Sequence, residues 1–253
     1  MNLNAFLLVD IGNSLIKWAV ADIFEANALP VVVGEMPTAK ATTTRIEALA
    51  KKFPQHYLVL ASVVPKLVPI FCRVFKRRFH LVTADSPALG LGFDYPRPAE
   101  LGADRLAAAV AVHADGKWPV IVVNCGTATA FTVLDKKGNL CGGAIAPGLQ
   151  TQLAALLGKT AQLPNVVLSP PRHYLARSTE EAIRSGVMLS FQGGVKETLH
   201  QLSAALPGRR PHIVLTGGNA SSLTSALDLP HTLRPLLVFE GLRIMGVRIF
   251  TPA

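Results

Sequence analysis

The sequence predicts an α/β protein built as two related halves. Short apolar runs that read as strands alternate along the chain with stretches of helical spacing. One pattern of strand, glycine turn and strand also occurs twice. It runs Phe-Leu-Leu-Val-Asp-Ile-Gly-Asn-Ser-Leu-Ile-Lys-Trp-Ala-Val over 6–20 and Val-Ile-Val-Val-Asn-Cys-Gly-Thr-Ala-Thr-Ala-Phe-Thr over 120–132. With Asp10 aligned on Asn124, Gly12 falls on Gly126 and Asn13 on Thr127. At 253 residues, 50% of them hydrophobic, the chain can bury two cores. The polar link 115–119 is the expected boundary, giving halves of 1–116 and 117–253.

Composition narrows the class. A net charge of +9 is compatible with an anionic partner without choosing among nucleotide, nucleic acid and phosphorylated metabolite. The densest basic run, Arg73 to Arg78, reads as the solvated side and end of a helix. Cys72, Cys125 and Cys141 are odd in number and lack C-x-x-C spacing, which argues against a disulfide framework or a structural zinc site. The seven histidines are scattered, with no metal-ligand spacing. Charged or polar residues interrupt every apolar run before membrane-spanning length. The first residues carry no basic n-region. A cytoplasmic protein with no membrane partner is expected.

In the first half, residues 3–9 read as a strand, 10–13 as its turn and 14–21 as the returning strand, so that Asp10 and Asn13 stand at a hairpin tip. Lys17 alternates with apolar neighbours and extends one face toward whatever the turn holds. A carboxylate beside phosphates calls for a bridging divalent cation, and magnesium suits carboxylate, water and phosphate oxygens. A plain hairpin turn of αL-tolerant residues is the competing reading. Strands are expected at 31–37, 57–64 and 80–82, with helices at 43–53 and, after Pro65, at 66–75. Residues 86–100, rich in Gly and Pro, form a loop. It ends in Leu101-Gly-Ala-Asp-Arg105 before a helix over 106–113. Asp104 and Arg105 thus stand at a helix N-terminus, where Asp104 caps the first turn or, with Arg105, supplies a base and a bidentate cation together.

In the second half, the strand at 120 enters the small turn of Gly126 and Thr127. Gly126 permits close backbone approach there, and Thr127 and Thr129 offer hydroxyls and N–H groups to phosphate oxygens. A hairpin follows, with strands 130–134 and 140–145 around the turn 135–139. The small residues 142–148 make a loop able to admit a ligand, and a helix covers 149–157. Residues 160–176 form a proline-bearing connection. Ser178-Thr-Glu-Glu181 matches a capping box and opens a helix running to about 194 and on through 195–205, with Thr179 facing out of its first turn. A strand over 211–215 enters a third glycine turn, 216–219, and a helix starts at 221. The chain finishes with 233–238 and a helix over 240–247.

Taken together these motifs resemble the type III pantothenate kinases of the acetate and sugar kinase, Hsp70 and actin superfamily. The resemblance rests on Asp10-Ile-Gly-Asn-Ser with Lys17, Tyr95 through Leu101-Gly-Ala-Asp-Arg105, Asn124-Cys-Gly-Thr-Ala-Thr129, Gly142-Gly through Pro147-Gly148, Ser178-Thr-Glu-Glu-Ala-Ile through Gly186, and Thr216-Gly-Gly218, in that order. It implies two ribonuclease-H-like, actin-like ATPase halves, each a mixed sheet flanked by helices, with nucleotide in the cleft and a homodimer. The implied reaction is ATP-dependent phosphorylation of pantothenate to 4′-phosphopantothenate, opening coenzyme A synthesis. On that resemblance Asp104 is the general base. Asp10, Ile11, Gly12, Asn13, Ser14, Leu15, Ile16 and Lys17 meet ATP phosphates, with Mg²⁺ held by Asp10 through water, and Gly126 and Thr127 bind nucleotide from the second half. Tyr95, Gly102, Ala103, Asp104, Arg105 and Thr179 contact pantothenate.

Two positions depart from the family pattern. Asn124 stands where Asp is usual, a carboxylate associated with a monovalent cation, K⁺ or NH₄⁺; an amide keeps a carbonyl oxygen without the charge. Ser14 stands where Thr is commoner and keeps the hydroxyl. The alternatives are a superfamily kinase with another small substrate, or a nucleotide-binding regulator that lost turnover. The retained Asp10, Lys17, Asp104 and Arg105 argue against the regulator, and nucleic acid is not an expected partner.

Overall fold

Alternation of apolar residues on Ala5–Ile11 (β1) and Leu15–Asp22 (β2) builds the first hairpin, with Asp10 opposite Lys17 and Ile11 opposite Ile16. The computed structural model describes residues 5–23, 28–160, 162–171 and 173–251; the expected strand start at 3–4 lies outside them. The chain divides into two compact units, one running to Gly116 and resuming at Leu236, the other spanning Lys117–Pro235.

The first unit holds a five-stranded sheet in the order β3-β2-β1-β4-β5, where β3 is Val31–Pro37, β4 Tyr57–Ser62 and β5 Phe79–Leu81. The hairpin strands pair antiparallel, and β1–β4 and β4–β5 pair parallel. One face packs on α1 (Thr43–Lys52) and α2 (Val68–Phe75) through Leu7, Val9, Leu58, Ile46, Phe71 and Phe75. The other face meets α3 (Ala103–Ala114) and the final helix, Leu237–Phe250.

The second unit repeats the plan. Its sheet runs β10-β9-β6-β7-β8, with β6 Val120–Cys125, β7 Ala128–Leu134, β8 Leu140–Pro147, β9 His212–Thr216 and β10 His231–Leu233. Read from the third strand of each hairpin, the two sheets have the same order and the same senses of pairing. This is the duplicated ribonuclease-H-like architecture expected from the sequence. Helices α4 (Leu149–Gly158), α5 (Thr179–Ala205) and the short α6 (Ser221–Thr224) cover one face through Leu153, Val187, Phe191, Leu199 and Leu223. No helix among the described residues is long and apolar enough to cross a membrane.

Several expectations are corrected. The second half was expected to keep 117–253, but the final helix, α7 (Leu237–Phe250), belongs to the first unit. Gly241 lies so close to α3 that an added Cβ would collide with the Ala107 carbonyl, and at Gly246 one would stand 3.0 Å from Val59 Cγ2. The expected helix over 240–247 is therefore longer at both ends, and its start takes up part of the expected 233–238 element. Helix α3 begins at Ala103 rather than 106, which puts Asp104 and Arg105 inside its first turn. Ser178 does accept the Glu181 N–H (3.3 Å), but the Glu181 carboxylate accepts from Arg177 N (3.4 Å) rather than completing the box on Ser178.

Candidate active site

Strand alternation puts Asp10 on the face of the first sheet that carries Leu8 and Ala61 rather than the α1 and α2 face. That face is the one α3 covers, and Asp104 stands in the first turn of α3. The two carboxylates consequently feel each other. Burial, then the Asp104 charge, push Asp10 up to about 7, against the opposing pull of Lys17 across the hairpin. Asp104 is also raised, by burial, although N–H groups at the helix start and the Arg105 charge pull the other way. An ideal Cβ on Gly102 would stand 2.7 Å from Asp104 Oδ1, so a side chain there would push the carboxylate aside.

Arg105 is buried, at 9% exposure, which a helix-start arginine on the surface would not be. Burial lowers its pKa from the ordinary arginine value, while Tyr95 and Asp104 favour its charge. Tyr95, Arg105, Asp104, Asp10 and Lys17 thus form one electrostatically connected group within the first unit. Beside it lies an open cavity of about 960 Å³, lined by Ser62, Val68, Leu81, Pro98, Gly102 and Ala103 among others. Asn13, Ser14 and Leu15 are exposed at the hairpin tip.

In the second unit Asn124, Gly126 and Thr127 come together where β6 turns into β7. Thr127 is exposed, and Gly217, at φ +90°, packs so tightly that a Cβ there would stand 2.7 Å from Asn124 Oδ1. Gly148 approaches until a Cβ would collide with the Gly126 carbonyl. The neighbouring Thr129 hydroxyl is buried without a hydrogen-bond partner among the described residues. Thr179, the first residue of α5, is exposed in this unit, on a different element from the turn.

Two threonines were not singled out from sequence. Thr38 Oγ1 donates to the Gly12 carbonyl (2.7 Å), and Thr151 Oγ1 donates to the Thr127 carbonyl (2.5 Å). Each lies some two dozen residues from its turn, and only the sheet pairing brings it there.

The raised Asp10 beside Asp104 tests the implied magnesium. Two half-buried carboxylates that repel each other, with a lysine alongside, fit a divalent cation whose remaining ligands are water and phosphate. Among the described residues no group of three or more His, Cys, Asp or Glu could hold a metal ion by itself. Asn124 offers a monovalent cation an oxygen but no charge.

The model of the type III pantothenate kinase family matches residues 6–201. A type III pantothenate kinase of Methylacidiphilum infernorum is 36% identical over 241 residues, covering 95% of this chain and 87% of that protein. One from Akkermansia muciniphila is 34% identical over 239 residues, covering 94% and 97%. Among solved structures, a conserved Baf-family protein from Campylobacter jejuni superposes with a TM-score of 0.64 at 18% identity, covering 96% of this chain and 98% of that one; this likeness is one of fold.

Proposed function

The chain belongs to the type III pantothenate kinase family, and from that premise we propose that it transfers the γ-phosphoryl group of ATP to the hydroxyl of pantothenate, giving 4′-phosphopantothenate and ADP. The observation that carries the reading is the half-buried Asp104 with the buried Arg105, beside Asp10 and Lys17. Asp104 takes the hydroxyl proton as the oxygen attacks the γ-phosphorus and the bond to the β–γ bridging oxygen breaks. Burial raises its pKa, which brings a carboxylate closer to the range useful for a base at neutral pH. Arg105, with Tyr95 beside it, faces the pantothenate carboxylate, with Gly102 and Ala103 as further acceptor contacts in the same unit; Thr179 is kept as an acceptor contact on the resemblance alone.

Phosphoryl transfer asks mainly for alignment and neutralised charge. Residues 10–17 supply N–H groups and the Lys17 ammonium to ATP phosphates, and Gly126 with Thr127 supply the second turn. Magnesium bound with ATP at Asp10 through water would offset the phosphate charge that the carboxylates otherwise repel. Asn124 lacks the charge that would favour K⁺ or NH₄⁺. The homodimer that the resemblance implies and the cytoplasmic location expected from the sequence belong to the same reading.

The test is ADP release from Mg·ATP with pantothenate, in sodium, potassium or ammonium buffer. Turnover is expected in all three, within about twofold, because the site at Asn124 carries no charge to favour one ion. Asp104→Asn is expected to bind ATP while losing about 10²–10⁴-fold in turnover. Near-normal turnover by that variant removes Asp104 from the base role.

A further inference from the structure

In each unit the turn between the first two strands is gripped by a segment that follows the unit's third strand. In the first unit Thr38, directly after β3, donates its hydroxyl to the Gly12 carbonyl (2.7 Å) and its N–H to the Ser14 carbonyl (2.9 Å). In the second unit the Gly148 N–H (3.0 Å) and the Thr151 hydroxyl (2.5 Å) both donate to the Thr127 carbonyl, directly after β8. Strands β3 and β8 hold the same place in the two sheets, each antiparallel to the hairpin's second strand. The two grips are topological counterparts made by different residues.

A peptide unit is planar, so fixing its carbonyl oxygen also fixes the N–H on the far side of the same plane. The Gly12 carbonyl shares a plane with the Asn13 N–H, and the Thr127 carbonyl with the Ala128 N–H. Asn13, Ser14, Thr127 and Ala128 are all exposed, so no core packing holds these planes. The hydroxyls supply what burial does not. Thr38 itself is buried at 9% exposure, although it stands in a short 3₁₀ turn where solvation would be the ordinary state of a threonine.

We propose that Thr38 and Thr151 are positioning residues for the phosphates of ATP, acting through the planes of the two turns rather than by touching the nucleotide. This rests on the reading of residues 10–17 and 126–127 as the ATP contacts. Loss of the Thr38 hydroxyl removes the donor that holds the Gly12 carbonyl, and loss of the Thr151 hydroxyl leaves the Thr127 carbonyl held less firmly, by the Gly148 N–H, so in each case the paired N–H is less well aimed, a loss confined to nucleotide binding.

The experiment compares the full chain with Thr38→Val, Thr151→Val, Thr38→Ser and Thr151→Ser. It reads ATP affinity by calorimetry, and KM for each substrate with kcat by ADP release. Each valine variant is expected to weaken ATP binding and raise KM for ATP about five- to tenfold, the worth of one hydrogen bond. KM for pantothenate should stay within about twofold, and serine should restore ATP affinity, because it returns the hydroxyl. Should Thr38→Val fail to fold, Thr151→Val, partly exposed at the start of α4, carries the test. Unchanged ATP affinity in the folded valine variants overturns the inference while leaving the kinase intact. So do equal losses toward both substrates. Wild-type chain that binds no ATP sinks the kinase reading and this inference with it.

Discussion

Asp10 is held where a carboxylate is expensive to ionise. Its pKa, pushed up to about 7 by burial and by Asp104, means that in the folded chain it binds a proton which the unfolded chain has already released at pH 5 to 7. Stability from this group is therefore full below the ordinary carboxylate range and is lost as the pH rises to about 7. Asp10→Asn removes the charge and keeps the shape. In chelator and without nucleotide, the variant is expected to melt roughly 5–10 °C above wild type at pH 8, on the order of 2–4 kcal/mol. At pH 5 the gap should shrink to roughly half or less, closing only below the ordinary carboxylate range, as seen by calorimetry at the two pH values. An equal gap at both, or none at pH 8, would show that Asp10 is not strained by its charge. The sequence made Asp10, Lys17 and Asp104 legible, because turn chemistry and strand alternation are local. It did not reveal that Arg105 would be buried, since that depends on tertiary packing, and Tyr95, ten residues earlier, is close enough to act on its charge.

Among elements, α3 and α7 show what small residues are for. Helix α3 buries Ala103, Ala107, Ala108, Ala109 and Ala111, and α7 brings Gly241 against it closely enough that a side chain would meet backbone. Gly241→Ala is accordingly expected to cost about 2 kcal/mol or more in urea denaturation, because the opposing atom is a carbonyl that cannot turn aside. Gly193, in the middle of α5, has open space where a Cβ would go, and Gly193→Ala is expected to gain about 0.5–1 kcal/mol. Opposite signs for the two glycines are the expected result, and a loss at both would mean that crowding does not separate them. Helical periodicity announced both helices from sequence, but periodicity gives an apolar stripe and not the surface that receives it. For that reason α3 starts three residues earlier than expected and α7 extends beyond its expected span. The braces at Thr38 and Thr151 stayed hidden for a related reason: a threonine after a strand has no local signature of the carbonyl it will meet.

On the scale of the whole molecule, duplication was readable because Gly12 and Gly126 recur in equivalent settings, and the two sheets share one strand order. The division of the chain was readable only in part. A boundary near 116 follows from a polar link, whereas the return at Leu236 follows from packing between residues far apart in sequence. Truncation after Pro235 is expected to leave 117–235 resistant to limited proteolysis, since its core is its own, and to leave the first unit readily cut, with Phe6 and Val59 uncovered. Equal resistance of both parts would show that α7 is dispensable to the first unit. The chain thus enters the second unit before it has finished the first, and this sets an order of events during synthesis. The amino-terminal strands emerge from the ribosome early but wait for α7 to seal their outer face, so the unit translated second is the one able to complete its core first.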